Sequence, residues 1–316
     1  AAHVLAAALL GLTAASATQP PQTRHVLLAH GSKQSPAWAQ LCHLASRLES
    51  DTGARVQPAY IFFGSNSETS SAEDGPPLAL EHALRALASA AGEEPAYVRV
   101  LPFVLTQSRA LRTEVPRVCA EVARTCPGLD VRMGPCLSDA LDGAGLDVLA
   151  EATAMQVTDV MRKEGLQRPL VYICDHGSAD HVVARVRRSI SARVEVILGD
   201  AARAVAPAPM ERPSSLVQGS EADDPLLEER LADLADTTVP VVVAMCFLSP
   251  GRHAGAGGDV AQILDAARAE GHASRVHATK LLGDAELVRS LLVDILRAAS
   301  DAELAATPSP TATGRT

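Results

Sequence analysis

Apolar and polar positions alternate along the chain in two kinds of segment. Continuously apolar runs of about 5 to 8 residues predict strands that are buried on both faces. Between these runs lie segments with the 3.6-residue period of amphipathic helices, such as 35–50 and 258–273. Alternation of strand and helix with apolar strands is typical of an α/β fold with a parallel sheet covered by helices. We expect four strands in each half of the chain.

The two halves of the chain resemble each other in sequence. An apolar run that ends in His-Gly-Ser occurs at 25–33 and again at 170–180. An apolar run followed by a polar turn with an arginine occurs downstream of each, at 97–116 and at 239–260. The interval between the two motifs is nearly the same in both halves. This self-similarity predicts an internal duplication, with two domains of like fold.

Length and composition agree with two domains flanked by segments of another kind. A chain of 316 residues that is 47% hydrophobic is too long for one ordinary core. We predict a first domain at 24–164 and a second domain at 168–300. Residues 1–23 are predicted to be a targeting-like or disordered segment, because a short apolar run precedes small, uncharged residues. Residues 301–316 have the composition of a disordered tail.

Charge and hydropathy argue against several classes of partner. The net charge of -9 disfavours a nucleic-acid or anionic membrane surface, since such partners require a basic face. No apolar run reaches the about 18 residues of a membrane span, so no membrane anchor is expected. The six cysteines form no CxxC pair and are predicted to be free thiols in a reducing compartment. We therefore expect a cytoplasmic protein, or a plastid protein if the N-terminal segment is a targeting sequence.

Polar residues that follow predicted strands of the second half are candidates for chemistry. Ligands of open α/β sheets bind beyond the carboxyl ends of the strands, where His176, Glu211 and His253 are expected. Two imidazoles and a carboxylate can bind a divalent transition metal, and a neutral imidazole can accept a proton. The alternatives are a packing or capping histidine at 176, a surface carboxylate at 211 and a plain flexible loop around 253.

The first half is predicted to keep only part of this set. His30 is retained, but Phe62 stands at the position of the glutamate and Ala110 at that of the second histidine. Glu114 is aligned with Asp259. The second half is therefore expected to carry the complete site and the first half a degenerate one.

Taken together, the motifs resemble the sirohydrochlorin chelatases of the class II group, which insert cobalt or iron into a reduced tetrapyrrole. The family pattern is a strand followed by His-Gly-Ser, an acid after the second strand, and then Phe-Leu, a glycine, a histidine and an aspartate after the third strand. The second half contains these features in that order, ending with "FLSPGRHAGAGGDV". The resemblance implies two tandem class II chelatase-like domains, each a small parallel sheet flanked by helices. Because short members of the family are single domains that pair, it also implies a monomer that acts as a fused pseudo-dimer.

The resemblance further implies a lyase that takes Co²⁺ or Fe²⁺ as its metal substrate and a sirohydrochlorin-like tetrapyrrole as its organic substrate, in cobalamin or sirohaem biosynthesis. No organic cofactor is implied. His176, His253 and Glu211 would be catalytic, and these three together with His30 would be the metal ligands. The substrate-binding residues would be Gly177, Ser178, Arg212, Ser249, Gly251, Arg252, Gly255, Gly257 and Gly258.

Several points stay open at the level of sequence. The glycines of the loop around His253 are predicted to make room for a flat macrocycle, and arginines near the site, including Arg185, Arg187 and Arg188, are candidates for binding its carboxylates. One alternative function is a non-catalytic metal or tetrapyrrole binding protein of the same fold. Another is a phosphohydrolase, suggested by the stretch "GRHAG".

Overall fold

The computed structural model of the chain describes residues 23–62, 76–92, 95–215, 223–236, 238–271 and 275–306. Most of the predicted N-terminal segment, residues 1–22, and the end of the predicted tail, residues 307–316, lie outside this part of the chain.

The strands form two four-stranded sheets in which all neighbouring strands run parallel. The strand order is β2-β1-β3-β4 in the first sheet and β6-β5-β7-β8 in the second. The predicted α/β fold with a parallel sheet of four strands in each half is therefore confirmed. The strands are β1 (Arg24–Ala29), β2 (Arg55–Tyr60), β3 (Ala96–Pro102), β4 (Leu129–Met133), β5 (Leu170–Cys174), β6 (Ala204–Pro207), β7 (Val241–Met245) and β8 (Val276–Leu281).

A helix follows each strand in the described part of the chain, and these helices cover the sheets. None of them is long and apolar enough to span a bilayer. The helices are α1 (Ser35–Thr52), α2 (Leu80–Ala91), α3 (Arg109–Thr125), α4 (Ala144–Glu164), α5 (His181–Leu198), α6 (Leu227–Ala232), α7 (Asp259–Ala269) and α8 (Glu286–Ala306). Helix α8 thus continues past residue 300, where the second domain was predicted to end.

The central strands are apolar because both of their faces are covered. Every residue of β7 is buried, and β5 is buried except for its first residue. Parallel sheets between two helix layers require such uninterrupted apolar runs, since neither face meets water. The polar residues that matter for function therefore follow the strands rather than lie within them.

The last helix of each half packs against the other half. Helix α4 lies on α5 and on β7 and β8, where the Gln156 side-chain amide donates to the Leu281 carbonyl at 3.0 Å. Helix α8 lies on α1, where Arg47 and Glu286 form an ion pair at 3.3 Å. One hydrophobic cluster accordingly contains residues of both sheets, such as Leu27 and Ile173. The two sheets are joined by a shared core rather than by a linker alone.

Candidate metal centre

Three side chains from neighbouring strand ends of the second sheet meet at one point. His176 follows β5, Glu211 follows β6, and His253 lies in the loop after β7. One ligand atom of each residue lies within 4.8 Å of the other two. The rings of His176 and His253 stand edge to face with their centroids 4.4 Å apart. The structure thus brings together the three residues that the sequence singled out.

An acceptor oxygen lies beside Nδ1 of each imidazole and orients the ring. Nδ1 of His253 lies 2.7 Å from Oδ2 of Asp259, the first residue of α7. Nδ1 of His176 lies 3.0 Å from the carbonyl oxygen of Gly177. Since a carboxylate oxygen only accepts, Nδ1 of His253 is the donor to Asp259. This arrangement is typical of metal-binding histidines, whose second nitrogen is held by an acceptor.

His176 and Glu211 are in direct contact. Nε2 of His176 lies 3.0 Å from Oε1 of Glu211. A carboxylate oxygen only accepts, so a proton lies between the two atoms when no ion is bound. A divalent ion that binds both atoms replaces that proton, which is how metal binding releases protons.

The three side chains form an open site. The side chains of His176 and Glu211 are each 47% exposed, and that of His253 is 27% exposed. Three protein ligands on one side of an ion leave coordination positions free for another molecule, as in catalytic rather than structural metal sites. The site can therefore present an ion to a ligand that approaches from the cleft.

A glycine turn allows the two ligand-bearing strand ends to approach each other. Gly177 has a φ of +93°, and a Cβ atom at this position would lie 2.1 Å from the carbonyl oxygen of Glu211. The Glu211 amide donates to the His176 carbonyl at 3.2 Å, which closes the turn. Only glycine combines this left-handed conformation with so close a backbone contact.

The first half forms the same turn without the metal ligands. Gly31 has a φ of +117°, and a Cβ atom here would lie 2.1 Å from the carbonyl oxygen of Phe62. The Phe62 amide donates to the His30 carbonyl at 3.1 Å. The predicted equivalence of Phe62 with Glu211 is therefore confirmed. The phenyl ring stands edge to face with the imidazole of His30 at a centroid distance of 5.2 Å.

The predicted equivalence of Ala110 with His253 is wrong. Helix α3 begins at Arg109, shortly after the end of β3, so Ala110 lies in the first helical turn. In the second half a longer loop separates β7 from α7, and His253 lies in this loop. The first residue of the helix, Asp259 in the second half, is therefore matched by Arg109 and not by Glu114. The loop between β3 and α3 is shorter than the loop between β7 and α7, and the matched stretches of sequence did not show this difference.

His30 lies outside the group of three ligands. Among the described residues, the cluster of possible metal ligands contains only His176, Glu211 and His253. His30 is nevertheless close enough to His176 for the two rings to interact electrostatically. Although His30 is exposed by surface area, nearby protein atoms desolvate its ring, and this desolvation, followed by the effect of His176, lowers the pKa of His30.

We expect an NMR titration to give His30 a pKa below the about 6.5 of an unperturbed imidazole. The substitution His176→Gln should raise this pKa, but not fully, because the desolvation persists. Arg193→Gln is the control, since Arg193 lies on the neighbouring α5 but pairs with Asp147 of α4. An unchanged His30 pKa in His176→Gln would show that the two rings do not interact across the cleft.

The glycines of the loop after β7 serve the fold of the loop itself. A Cβ atom on Gly255 would lie 2.8 Å from the Gly251 carbonyl oxygen, and one on Gly258 would lie 2.5 Å from that of Arg252. Gly257 has a φ of +68°. The Gly255 amide donates to the Gly251 carbonyl at 2.8 Å. The glycines were predicted to make room for a macrocycle. In the structure they are required by the tight folding of the loop that carries His253.

The loop lies where the two halves meet. A Cβ atom on Gly251 would be 3.7 Å from the hydroxyl oxygen of Ser32 in the first half. A cavity of about 500 Å³ is lined by this loop and by residues at the start of α1, including Gln34. On the other side of the cleft, Arg112 of α3 pairs with Asp180 at 2.5 Å, directly before α5. Both halves therefore shape the surroundings of the three ligands.

The predicted arginines differ in their availability to a substrate. The side chain of Arg252 is 79% exposed and lies 3.6 Å from Asp259, so its guanidinium is accessible beside the site. Arg212 is bound by Glu229 at 3.0 Å and by Asp223 at 2.9 Å, and these hydrogen bonds raise its pKa. Arg212 is thus committed to contacts within the protein.

The predicted serines have local backbone roles in the structure. Ser178 accepts a hydrogen bond from the Asp180 amide at 3.0 Å, and the residue that caps α5 is Asp180, which accepts from the Val182 amide. The Ser249 carbonyl accepts from the Gly251 amide at 2.9 Å. Both serines therefore help to shape the turns that carry the two histidines.

Sequence reasoning missed a buried network of ion pairs behind the site. Asp175, directly before His176, pairs with Arg187 of α5, and Arg187 also pairs with Asp224. The signal available in the sequence was an aspartate at the end of a fully apolar run, which is an unusual place for a charge. From sequence alone Arg187 is a candidate for binding a substrate carboxylate, and its burial in the structure excludes this role.

No protein-family model and no curated protein sequence matches the chain. Its fold matches solved chelatase structures. SirB from Bacillus subtilis with Fe³⁺ superposes with a TM-score of 0.67 at 14% sequence identity, covering 90% of this chain and 98% of that chain. The sirohydrochlorin chelatase SirB from Bacillus subtilis subspecies spizizenii in complex with cobalt gives a TM-score of 0.63 at 15% identity, with the same coverage of 90% and 98%.

A third structure is CbiX, the terminal enzyme for biosynthesis of siroheme in denitrifying bacteria. It gives a TM-score of 0.58 at 18% identity, covering 87% of this chain and 99% of that chain. The resemblance seen in the sequence motifs thus extends to the fold, which this chain shares with chelatases over nearly their whole length.

Proposed function

We propose that this protein is a chelatase of the sirohydrochlorin type, a lyase that inserts Co²⁺ or Fe²⁺ into a reduced tetrapyrrole. The observation that carries the proposal is the convergence of His176, Glu211 and His253 within 4.8 Å at the cleft between the two halves. The fold supports it, since structures named as SirB contain Fe³⁺ or cobalt. Imidazole and carboxylate ligands suit both metals as divalent ions.

Metal insertion requires a site that holds an ion and then releases it. Three ligands, two exposed and one half-buried, bind the ion on one face and leave its other positions open for the macrocycle and water. Nε2 of His176 and Oε1 of Glu211 lie 3.0 Å apart, so one ion can bind to both atoms. We propose that the ion is bound mainly by this pair.

The reaction also requires bases for the two pyrrole protons. Asp259 accepts the Nδ1 proton of His253 at 2.7 Å and therefore stabilises an imidazolium that forms when Nε2 takes a proton. We assign proton uptake to the pair of His253 and Asp259. Once the macrocycle has taken over coordination, a proton again lies between Glu211 and His176. This pair is therefore the acceptor of the second pyrrole proton.

The carboxylates of a tetrapyrrole require cations around the cleft. Arg252 is the exposed arginine beside the site, and its guanidinium can bind a carboxylate in a bidentate manner. The cavity of about 500 Å³ between the glycine loop and α1 extends the cleft towards the first half. We propose that the macrocycle lies between the halves, with one edge against this loop.

The proposal also covers the oligomeric state, the compartment and the pathway of the protein. We propose that the two halves, arising from a tandem repeat, replace the two subunits of a dimer, so that a monomer suffices. No organic cofactor, nucleic acid or membrane is needed for the reaction. All six cysteines are free thiols, which is consistent with the reducing cytoplasm. Cobalamin or sirohaem biosynthesis would use the product.

The direct test is an insertion assay with the purified full chain. Sirohydrochlorin is incubated with Co²⁺ or Fe²⁺, and the change of its absorption spectrum is followed with and without protein. We expect acceleration over the uncatalysed rate with at least one metal, and the ratio of the two rates identifies the preferred metal. If neither metal gives acceleration, the chelatase proposal is wrong.

A carrier function is the second candidate. It is favoured by the first half, which has Phe62 in place of the glutamate and no counterpart of the histidine loop. A carrier would bind Co²⁺ or the tetrapyrrole in calorimetry without accelerating insertion. The same assay therefore separates the two candidates.

A further inference from the structure

A buried guanidinium lies directly behind the metal centre. The side chain of Arg187 in α5 is only 1% exposed. Its Nη1 donates to both oxygens of Asp175, at 2.7 and 3.0 Å, and its Nε and Nη2 donate to Asp224, at 3.2 and 2.7 Å. A charge buried to this extent is tolerated only when such partners surround it. Arg187 is therefore inaccessible to a substrate and holds two separate segments together.

One branch of this network leads to the ring of His176. Oδ1 of Asp175 accepts both from Arg187 and from the Gly177 amide, the latter at 3.0 Å. The carbonyl oxygen of Gly177 in turn lies 3.0 Å from Nδ1 of His176. The guanidinium thus helps to fix the position of the imidazole through the Asp175 carboxylate and the Gly177 turn.

The other branch leads to the segment that carries Glu211. Asp224 is held by Arg187, and its neighbour Asp223 accepts from Arg212 at 2.9 Å. Arg212 directly follows Glu211 in the chain. Both ligand-bearing strand ends are therefore tied to one arginine of α5 through hydrogen bonds and through directly neighbouring residues of the chain.

The first half shows that the turn itself does not require the ion pair. Helices α1 and α5 have the same length of 18 residues and start at the same distance from His30 and His176. In the first half the positions of Asp175 and Arg187 are taken by Ala29 and Leu41, which are buried. The glycine turn forms there with the same close contact. The ion pair is therefore not needed for the turn, and it occurs only in the half that contains the three candidate metal ligands.

We propose that Arg187 and Asp175 are positioning residues of the metal centre, which hold His176 and Glu211 at the spacing that a divalent ion requires. This inference rests on the proposed metal-binding function. Partners that orient a ligand typically change metal affinity by about 10- to 100-fold when they are removed. The pair should therefore act on metal affinity and coordination geometry more than on folding.

The test copies the first half into the second. The double substitution Asp175→Ala/Arg187→Leu removes both charges together, which avoids an unpaired buried ion, and Asp224 retains Arg188 at 2.7 Å as a partner. We expect a folded protein by circular dichroism, with Co²⁺ affinity lowered about 10- to 100-fold in calorimetry and an altered visible spectrum of the bound ion. Asp147→Ala/Arg193→Leu is the matched control, since it removes another ion pair of α5, at 2.6 Å.

The outcomes separate this inference from the proposed function. Equal Co²⁺ affinity and spectra in the unmodified protein and the double variant would overturn the positioning role alone. Absence of both Co²⁺ and Fe²⁺ binding by the unmodified protein would overturn the proposed function as well. If the double variant does not fold, Arg187→Lys decides, because one ammonium group cannot replace a guanidinium that serves two carboxylates. Unchanged affinity in this variant would also contradict the inference.

Discussion

Replacement of His253 by alanine is expected to abolish metal insertion and to lower Co²⁺ affinity by more than about 100-fold. The expected loss exceeds that caused by residues that only orient a ligand, which is about 10- to 100-fold. His253 supplies one of three ligand atoms that lie within 4.8 Å of one another. It also forms the hydrogen bond with Asp259, the pair to which we assign proton uptake. The substitution thus removes both a proposed metal ligand and the proposed base.

The measurement is the initial rate of insertion together with the Co²⁺ dissociation constant from calorimetry. His277→Ala is the control, because His277 is a half-buried histidine of the same half, 3.9 Å from Glu164 in α4. Asp259→Asn should have an intermediate effect, since it leaves the imidazole in place but weakens its orientation and the stabilisation of its positive charge. If His253→Ala inserts metal at the unmodified rate, the assignment of the site to this loop is wrong.

The sequence allowed the fold and the meeting of the three ligands to be predicted for the same physical reason. Uninterrupted apolar runs such as that of β7 indicate strands buried on both faces and hence a parallel sheet. The carboxyl ends of neighbouring parallel strands share one edge, so polar residues after β5, β6 and β7 must lie near one another. His176, Glu211 and His253 could therefore be grouped without any knowledge of distances.

Other features depend on contacts that have no local signal. Helices α4 and α8 each pack against the other half, and this packing depends on which apolar surface each helix covers. The repeat pattern, in contrast, assigns each helix only to its own half. The buried position of Arg187 was missed because Arg185, Arg187 and Arg188 look alike in sequence. Only packing places one of them between Asp175 and Asp224. The shorter loop before α3 was hidden by an alignment that matched Ala110 with His253.

Substitution of Gly177 by alanine is expected to destabilise the protein by about 2 to 4 kcal/mol and to lower Co²⁺ affinity strongly. The added Cβ atom would lie 2.1 Å from the Glu211 carbonyl oxygen, and the φ of +93° is itself strained for alanine. Relief of the contact requires the backbone of Glu211 to move away from His176. Urea unfolding measures the loss of stability, and calorimetry measures the loss of affinity.

Substitutions at two other glycines separate the cost of backbone strain from the cost of the steric contact and from the loss of Co²⁺ affinity. Gly53→Ala adds a side chain at a φ of +72° with no atom within 4 Å, so it should show the conformational strain alone, about 1 kcal/mol. Gly31→Ala creates the same contact of 2.1 Å, with the Phe62 carbonyl, in the half without the glutamate. It should destabilise the protein as much as Gly177→Ala does but leave Co²⁺ affinity unchanged. Because the two turns share one backbone geometry, an equal loss of affinity in both variants would mean that metal binding reports the stability of the whole chain and not the turn at Glu211.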